Sequence, residues 1–140
     1  METTGIPPGE GKLGRKYIKS FASGIVSQFV CSAEHYAWLA YDYRVSVVTI
    51  DLISLAIDPV EFDIDRNRNL ARMCQTTLFQ NVRLLTPPGA VTSAVLVARF
   101  GIGQQLGDER GPSVFSVILT DDRGKEWRVD RVVERMLMQP

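Results

Sequence analysis

Residues 113–133, SVFSVILT-DDRG-KEWRVDRVV, constrain the fold more than any other stretch of this chain. Phe115, Val117 and Leu119 alternate on the first run, and Trp127 and Val129 do so on the second. Apolar residues at period two mark half-buried strands, because successive strand side chains point to opposite faces. Asp121-Asp122-Arg123-Gly124 between them suits a hairpin connection, since Gly124 can take the positive φ that the last turn position needs. The chain is therefore expected to close in an antiparallel hairpin at the edge of a sheet. Trp127 is the expected anchor of that sheet against the first helix.

That helix is written in residues 15–41. Tyr17, Phe21, Ile25, Phe29, Ala33, Ala37 and Tyr41 recur every four residues, and Ile18, Val26, Val30, Tyr36 and Ala40 widen the stripe. The pattern predicts an amphipathic helix of roughly 25 residues, with Lys16, Lys19, Ser23, Ser27 and Glu34 on its polar side. Gly24 weakens such a helix by about 1 kcal/mol relative to alanine, which points to close packing there.

Between helix and hairpin the patterning alternates. Residues 44–57 are rich in β-branched side chains and predict a strand over Val45–Ile50; periodicity leaves 51–57 open between strand and helix. Val60 to Asp65 alternates strictly, reading as a short strand with Glu61, Asp63 and Asp65 on one face. Leu70, Met73, Cys74, Thr77, Leu78, Asn81, Val82 and Leu85 then fall at helical spacing. Asn67 or Asn69 is the expected cap of this second helix, and Pro87-Pro88-Gly89 its stop. Val91–Ile102 reads as a long strand, apolar on both faces and so covered on both sides, followed by a loop over 101–112. Val132–Met138 is open between a short helix and an extended tail.

Residues 1–14, with two prolines and four glycines, read as a flexible arm, and 15–140 as a single α+β domain. The expected architecture is a long N-terminal helix and a second helix packed on a bent antiparallel sheet of roughly four to six strands. At 140 residues the chain is long enough to bury a core without staples.

Charge and cysteine content narrow the function classes. Sixteen basic residues balance sixteen acidic ones, so no global field draws the chain to nucleic acid or anionic membrane. Twelve of the basic residues are arginines, which suit bidentate pairing and protein interfaces, and also follow from GC-rich coding. Cys31 and Cys74 lie on apolar stripes and read as buried, reduced thiols, with no CxxC or Cys/His spacing for zinc. No apolar run approaches a membrane span, and the first residues lack a secretory pattern, so a soluble, cytoplasmic protein is expected.

No residue pattern identifies chemistry, and no catalytic, cofactor or metal residue is assigned. Glu61, Asp63 and Asp65 lack the glycine turn and distal glutamate of a calcium loop, so they read as a solvated face or as partners of Arg66, Arg68 and Arg72. His35 is the single histidine, and neighbouring Glu34 diverges from it by about 100° on a helix. Gly101-Ile102-Gly103 is a fragment of a phosphate loop that a hairpin loop explains better. Lys12, Arg15, Lys16 and Lys19 make the N-terminus locally basic. Tyr36, Trp38, Tyr41 and Tyr43 cluster where the first helix ends, in a position for core packing or for an interface.

The element order, together with Gly124-Lys125-Glu126-Trp127-Arg128-Val129-Asp130, resembles the nuclear-transport-factor-two-like superfamily of cystatin-like cone folds. That resemblance implies a long N-terminal helix across a strongly bent antiparallel sheet. Its members include dehydratases and isomerases, dimeric adaptors, and assembly subunits of type IV secretion systems. The function expected is a non-enzymatic interaction or assembly subunit with a protein partner, self-associating as a homo-oligomer through the sheet face or the first helix: a component of a secretion apparatus or a virion, or a small adaptor. Two alternatives stand beside it. One is a small cone-fold enzyme using His35, Asp63 or Asp65 on an apolar ligand; the other is a nucleic-acid-associated protein using the basic arm.

Overall fold

The computed structural model describes residues 12–59, 62–85, 91–101 and 111–134. In chain order they form α1 (Lys12–Asp42), β1 (Val47–Asp51), β2 (Ile57–Asp58), α2 (Ile64–Leu85), β3 (Val91–Gly101), β4 (Gly111–Asp121) and β5 (Glu126–Val133). The strands make one antiparallel five-stranded sheet in the order β2-β1-β3-β4-β5, and both helices pack on it. This is the α+β arrangement that the patterning predicts. Among the described residues no helix is long and apolar enough to cross a membrane.

α1 already runs at Lys12, inside the stretch read as an arm; residues 1–11 lie outside the described residues. The i+4 ladder does not stay on one face. Four residues turn a helix by about 400°, so the ladder drifts by about 40° per step. Phe21, Ile25, Phe29, Ala33 and Ala37 are buried, whereas Tyr41 emerges 48% exposed and Tyr36 and Ala40 take the buried side. The helix ends because Val45 donates its N–H to the Ala40 carbonyl (2.7 Å) and Arg44 to that of Tyr41 (3.0 Å). Arg44 takes the left-handed φ of 58° at which such closures usually place glycine. Val45 is thereby used to close α1, and β1 begins two residues later than predicted, at Val47.

The open stretch 51–57 is a tight turn into β2. Asp51 Oδ1 accepts the N–H groups of Ile53 (2.9 Å) and Ser54 (3.1 Å). Gln75 Nε2 donates to the Ile53 carbonyl at 2.9 Å, tying this turn to α2.

The strand expected over 60–65 is not formed. α2 starts at Ile64, earlier than a cap at Asn67 or Asn69 allows, and Asp63 is the cap: its Oδ1 accepts the Arg66 N–H at 3.2 Å. Asn67 instead is buried in the first turn and donates Nδ2 to the Phe62 carbonyl at 2.7 Å. The expected 101–112 loop is shorter, since Gly101 ends β3 and Gly111 and Pro112 begin β4, and Val132 and Val133 belong to β5. Val60, Glu61, Pro87-Pro88-Gly89 and residues 102–110 and 135–140 lie outside the described residues.

An aromatic chain joins the layers. Phe100 meets Phe115 edge-on at 6.0 Å, Phe115 meets Phe29 at 5.5 Å, Phe29 meets Tyr36 at 5.3 Å, and Tyr36 meets Phe62 at 6.4 Å. Sheet, α1 and the entry to α2 are thus linked by offset and edge contacts that aromatic quadrupoles favour. Trp127 is buried in the same core, with Lys125 Nζ 4.6 Å from its ring centre.

The closing hairpin is as the sequence predicts. β4 and β5 pair from Thr120↔Glu126 to Ser113↔Val133. Gly124 has φ 83°, and Asp121 Oδ1 accepts the N–H groups of Arg123 (2.9 Å) and Lys125 (2.8 Å). β3 differs from expectation on one side. Ala94, Leu96, Ala98 and Phe100 are buried, but Val91, Val95 and Val97 stay half-buried, with no described element over them. Both helices fall on the same face of the sheet, so only that face becomes core.

Two glycines test this packing with opposite signs. Gly24 is exposed and a Cβ there meets nothing within 4 Å, so close packing is not its reason. Gly24→Ala is expected to stabilise the fold by about 0.5–1 kcal/mol, seen as a higher midpoint in thermal denaturation. Gly101 pairs with Gly111 at the end of β3, and a Cβ would lie 2.2 Å from the Pro112 carbonyl oxygen and 2.3 Å from that of Gly111. Gly101→Ala is expected to cost about 1–3 kcal/mol in the same assay, because backbone must move to admit it.

Candidate functional site

His35, Asp63 and Asp65 are not brought together as a reactive group. α1 and α2 lie side by side, and Tyr36 donates its hydroxyl to the Arg66 carbonyl at 2.9 Å. Ser32, His35, Arg66, Asn69 and Met73 line an open groove of about 330 Å³ above this contact. His35 is exposed on the groove wall and makes no hydrogen bond to a described residue. Asp63 is occupied as the α2 cap, and its Oδ2 pairs with Arg66 Nε at 2.9 Å. Asp65 is exposed in the first turn of α2. Asp63 and Asp65, read with Glu61 as one strand face, thus stand instead at the start of α2, while Glu61 lies outside the described residues; no group of metal-ligating side chains gathers among the described residues.

The cysteines divide. Cys74 is buried, and burial pushes its thiol up to about 11. Cys31 is exposed, contrary to the buried reading, because it lies on the outward side of α1 between the buried Phe29 and Ala33. Burial likewise raises the Tyr36 hydroxyl, with the Asp63 charge adding to it. Both groups are thus held protonated at neutral pH. The aromatic cluster splits as well: Tyr36 is core, Trp38 is half-buried, and Tyr41 and Tyr43 are exposed.

The surface with the most unusual character is the outer face of the sheet, away from the helices. Directly opposed residues share a face. The register therefore places Val47, Arg99, Val114 and Val132 in one row, and Thr49, Val97, Ser116 and Asp130 in the next. A third row holds Asp51, Val95, Ile118 and Arg128. Six aliphatic side chains thus stand on this face; Val47 and Val132 are 39% and 55% exposed, and the others are half-buried.

A polar network is set among them. Ser116 is 1% exposed and donates its hydroxyl to Asp130 Oδ1 at 2.5 Å. Arg128 Nε donates to both oxygens of the same carboxylate, at 3.1 and 3.2 Å. The Ser116 hydrogen bond, followed by Arg128 and Arg99, holds the Asp130 carboxyl below the usual carboxylate range, while partial burial opposes the shift. Residue patterning does not single out this pair, although the hairpin carries a signal for it. The DDRG turn sets the hairpin register, and that register alone puts Ser116 opposite Asp130.

Comparison with known proteins gives no matching family model, no matching curated protein and no matching solved structure.

The Ser116–Asp130 bond makes a testable statement about charge. A carboxyl with a lowered folded pKa contributes stability above its unfolded value, and loses it as pH falls through the folded value. Ser116→Ala removes the largest cause, so the Asp130 midpoint is expected to rise toward the usual range in an NMR titration of its side-chain carbon. An unchanged midpoint would assign the shift to the arginines instead.

Proposed function

We propose that this chain is a non-enzymatic assembly subunit, one that self-associates and meets its protein partner on the outer face of the sheet. The observation that carries the reading is the set of aliphatic side chains on that face, Val47, Val95, Val97, Val114, Ile118 and Val132, which no described element covers. Antiparallel sheets with one solvated face ordinarily alternate apolar-in with polar-out. Aliphatic side chains contiguous on the solvated side, edged by charge, are the composition of an interaction surface. Arg99 and Arg128 on one hand, and Asp51 and Asp130 on the other, supply a rim of both signs that a second copy can match.

The cone-fold kinship belongs to the same proposal: a long helix laid across an antiparallel sheet fits it, and dimeric adaptors and assembly subunits are among that superfamily's members. The α1–α2 groove supports chemistry less well, since His35 stands exposed there with neither a carboxylate nor a nucleophile hydrogen-bonded to it among the described residues.

Sedimentation across a wide concentration range tests the reading. The mean mass is expected to rise with concentration. Val97→Lys, central on the face, is expected to lower the mass at each concentration while leaving the thermal midpoint nearly unchanged. A wild-type chain that stays monomeric throughout would remove the proposal.

A further inference from the structure

We propose that the free edge of β5 is a self-recognition strand. Two copies of this chain pair antiparallel through β5 about a two-fold axis at Val129, joining their sheets edge to edge. The inference rests on the assembly reading above and names its first contact.

β5 ends the sheet order, and among the described residues only β4 pairs with it. Such an edge presents a row of unpaired backbone N–H and C=O groups that another strand can complete. The opposite edge, β2, spans only Ile57–Asp58 and offers too short a ladder.

The charges of β5 select both the partner and the register. Glu126, Arg128, Asp130 and Val132 alternate onto the outer face. In a symmetric antiparallel pair, opposed residues must point to the same face, so the axis passes through a residue rather than between two. An axis at Arg128 sets Arg128 against itself and Glu126 against Asp130 of the partner subunit, and an axis at Asp130 sets that carboxylate against itself. Like charges directly opposite destabilise a pair. An axis at Val129 puts Arg128 opposite Asp130 of the partner subunit and Asp130 opposite the partner's Arg128. An axis at Trp127 also matches charges, Glu126 to Arg128, but overlaps only the start of the strand. Val129 alone combines matched charge with nearly full overlap. Arg128 engages Asp130 of its own strand through Nε, which leaves its Nη groups for the facing carboxylate.

α1 adds a second observation. It packs on β4 and β5, and α2 occupies one of its flanks through Tyr36–Arg66 and Thr77–Gln28. Val30 lies on the other flank, about 120° round from Tyr36 by helical spacing, and Trp38, about 200° round, stands on the outward stripe with Cys31. Both are only partly buried, and Trp38 Nε1 is enclosed without a partner among the described residues. Since α2 sits toward the β1 side, this flank lies toward the β5 edge. Joining the edges brings the two copies of it together over the continuous sheet.

The full chain is tested by sedimentation and hydrogen exchange. Arg128→Asp sets carboxylate against carboxylate across the axis and is expected to weaken dimerisation about tenfold or more. Arg128→Gln, which adds no charge, is expected to weaken it less. The exchanged pair R128D/D130R restores the match in the same register and is expected to recover dimerisation to within about threefold of wild type. Alternate β5 amides of the wild type are expected to gain protection as concentration rises through the dimerisation range. Equal association of wild type and Arg128→Asp, or no recovery in the exchanged pair, overturns the edge contact. In that case a lowered mass for Val97→Lys leaves the assembly reading standing. A wild type monomeric at every concentration removes both.

Discussion

Phe29 is the contact on which the rest of the structure depends. Its ring meets Phe115 of the sheet at 5.5 Å and Tyr36 of its own helix at 5.3 Å, and it is completely buried. Through Phe115 it reaches Phe100, and through Tyr36 it reaches Phe62 and the Arg66 carbonyl. Burying a phenylalanine side chain contributes about 1.5–3 kcal/mol, and edge contacts add to that. The larger consequence is geometric. A ring wedged between β4 and α1 sets where α1 crosses the sheet, and α2 then packs against the flank that Tyr36 offers.

Once both helices are committed to one face, the other face of the sheet must be dealt with separately. A soluble sheet can cover that face with charge. Here the charges are few and placed at the margins, and the buried Ser116 gives its proton to a hydrogen bond with Asp130 rather than to water. The outer face and the β5 edge adjoin, so a copy joined at the edge extends the same aliphatic surface. Assembly by edge and assembly by face are therefore mutually supportive uses of one half of the molecule. The groove at His35 lies in the other half, between the helices.

Much of the fold was legible because local physics and tertiary packing agree along most of the chain. The hairpin turn needs a glycine with positive φ, and Gly124 supplies it, so the closing hairpin could be read directly. The errors have identifiable causes. Asp63 and Asp65 alternate with apolar Phe62 and Ile64 as in a strand, but an aspartate just before a helical pattern also caps it, and capping won. Cys31 adjoins an apolar stripe that a strict four-residue repeat draws too wide, and the helix turns it outward. A glycine within a helix suggests close packing, but Gly24 is exposed with open space around it.

By itself the sequence determined the α+β class, the two helices, the long strands and the closing hairpin. These follow from periodicity and turn chemistry, which act over a few residues. It did not determine that Ile64 and Asp65 enter α2, that no described element covers the second face of β3, that α1 closes at Arg44, or that His35 stands in an open groove. Those depend on where two helices cross a sheet, which is settled by contacts such as Phe29–Phe115 between residues far apart in the chain. Alternation along a strand shows that its two faces differ; only the packed structure decides which of them is covered.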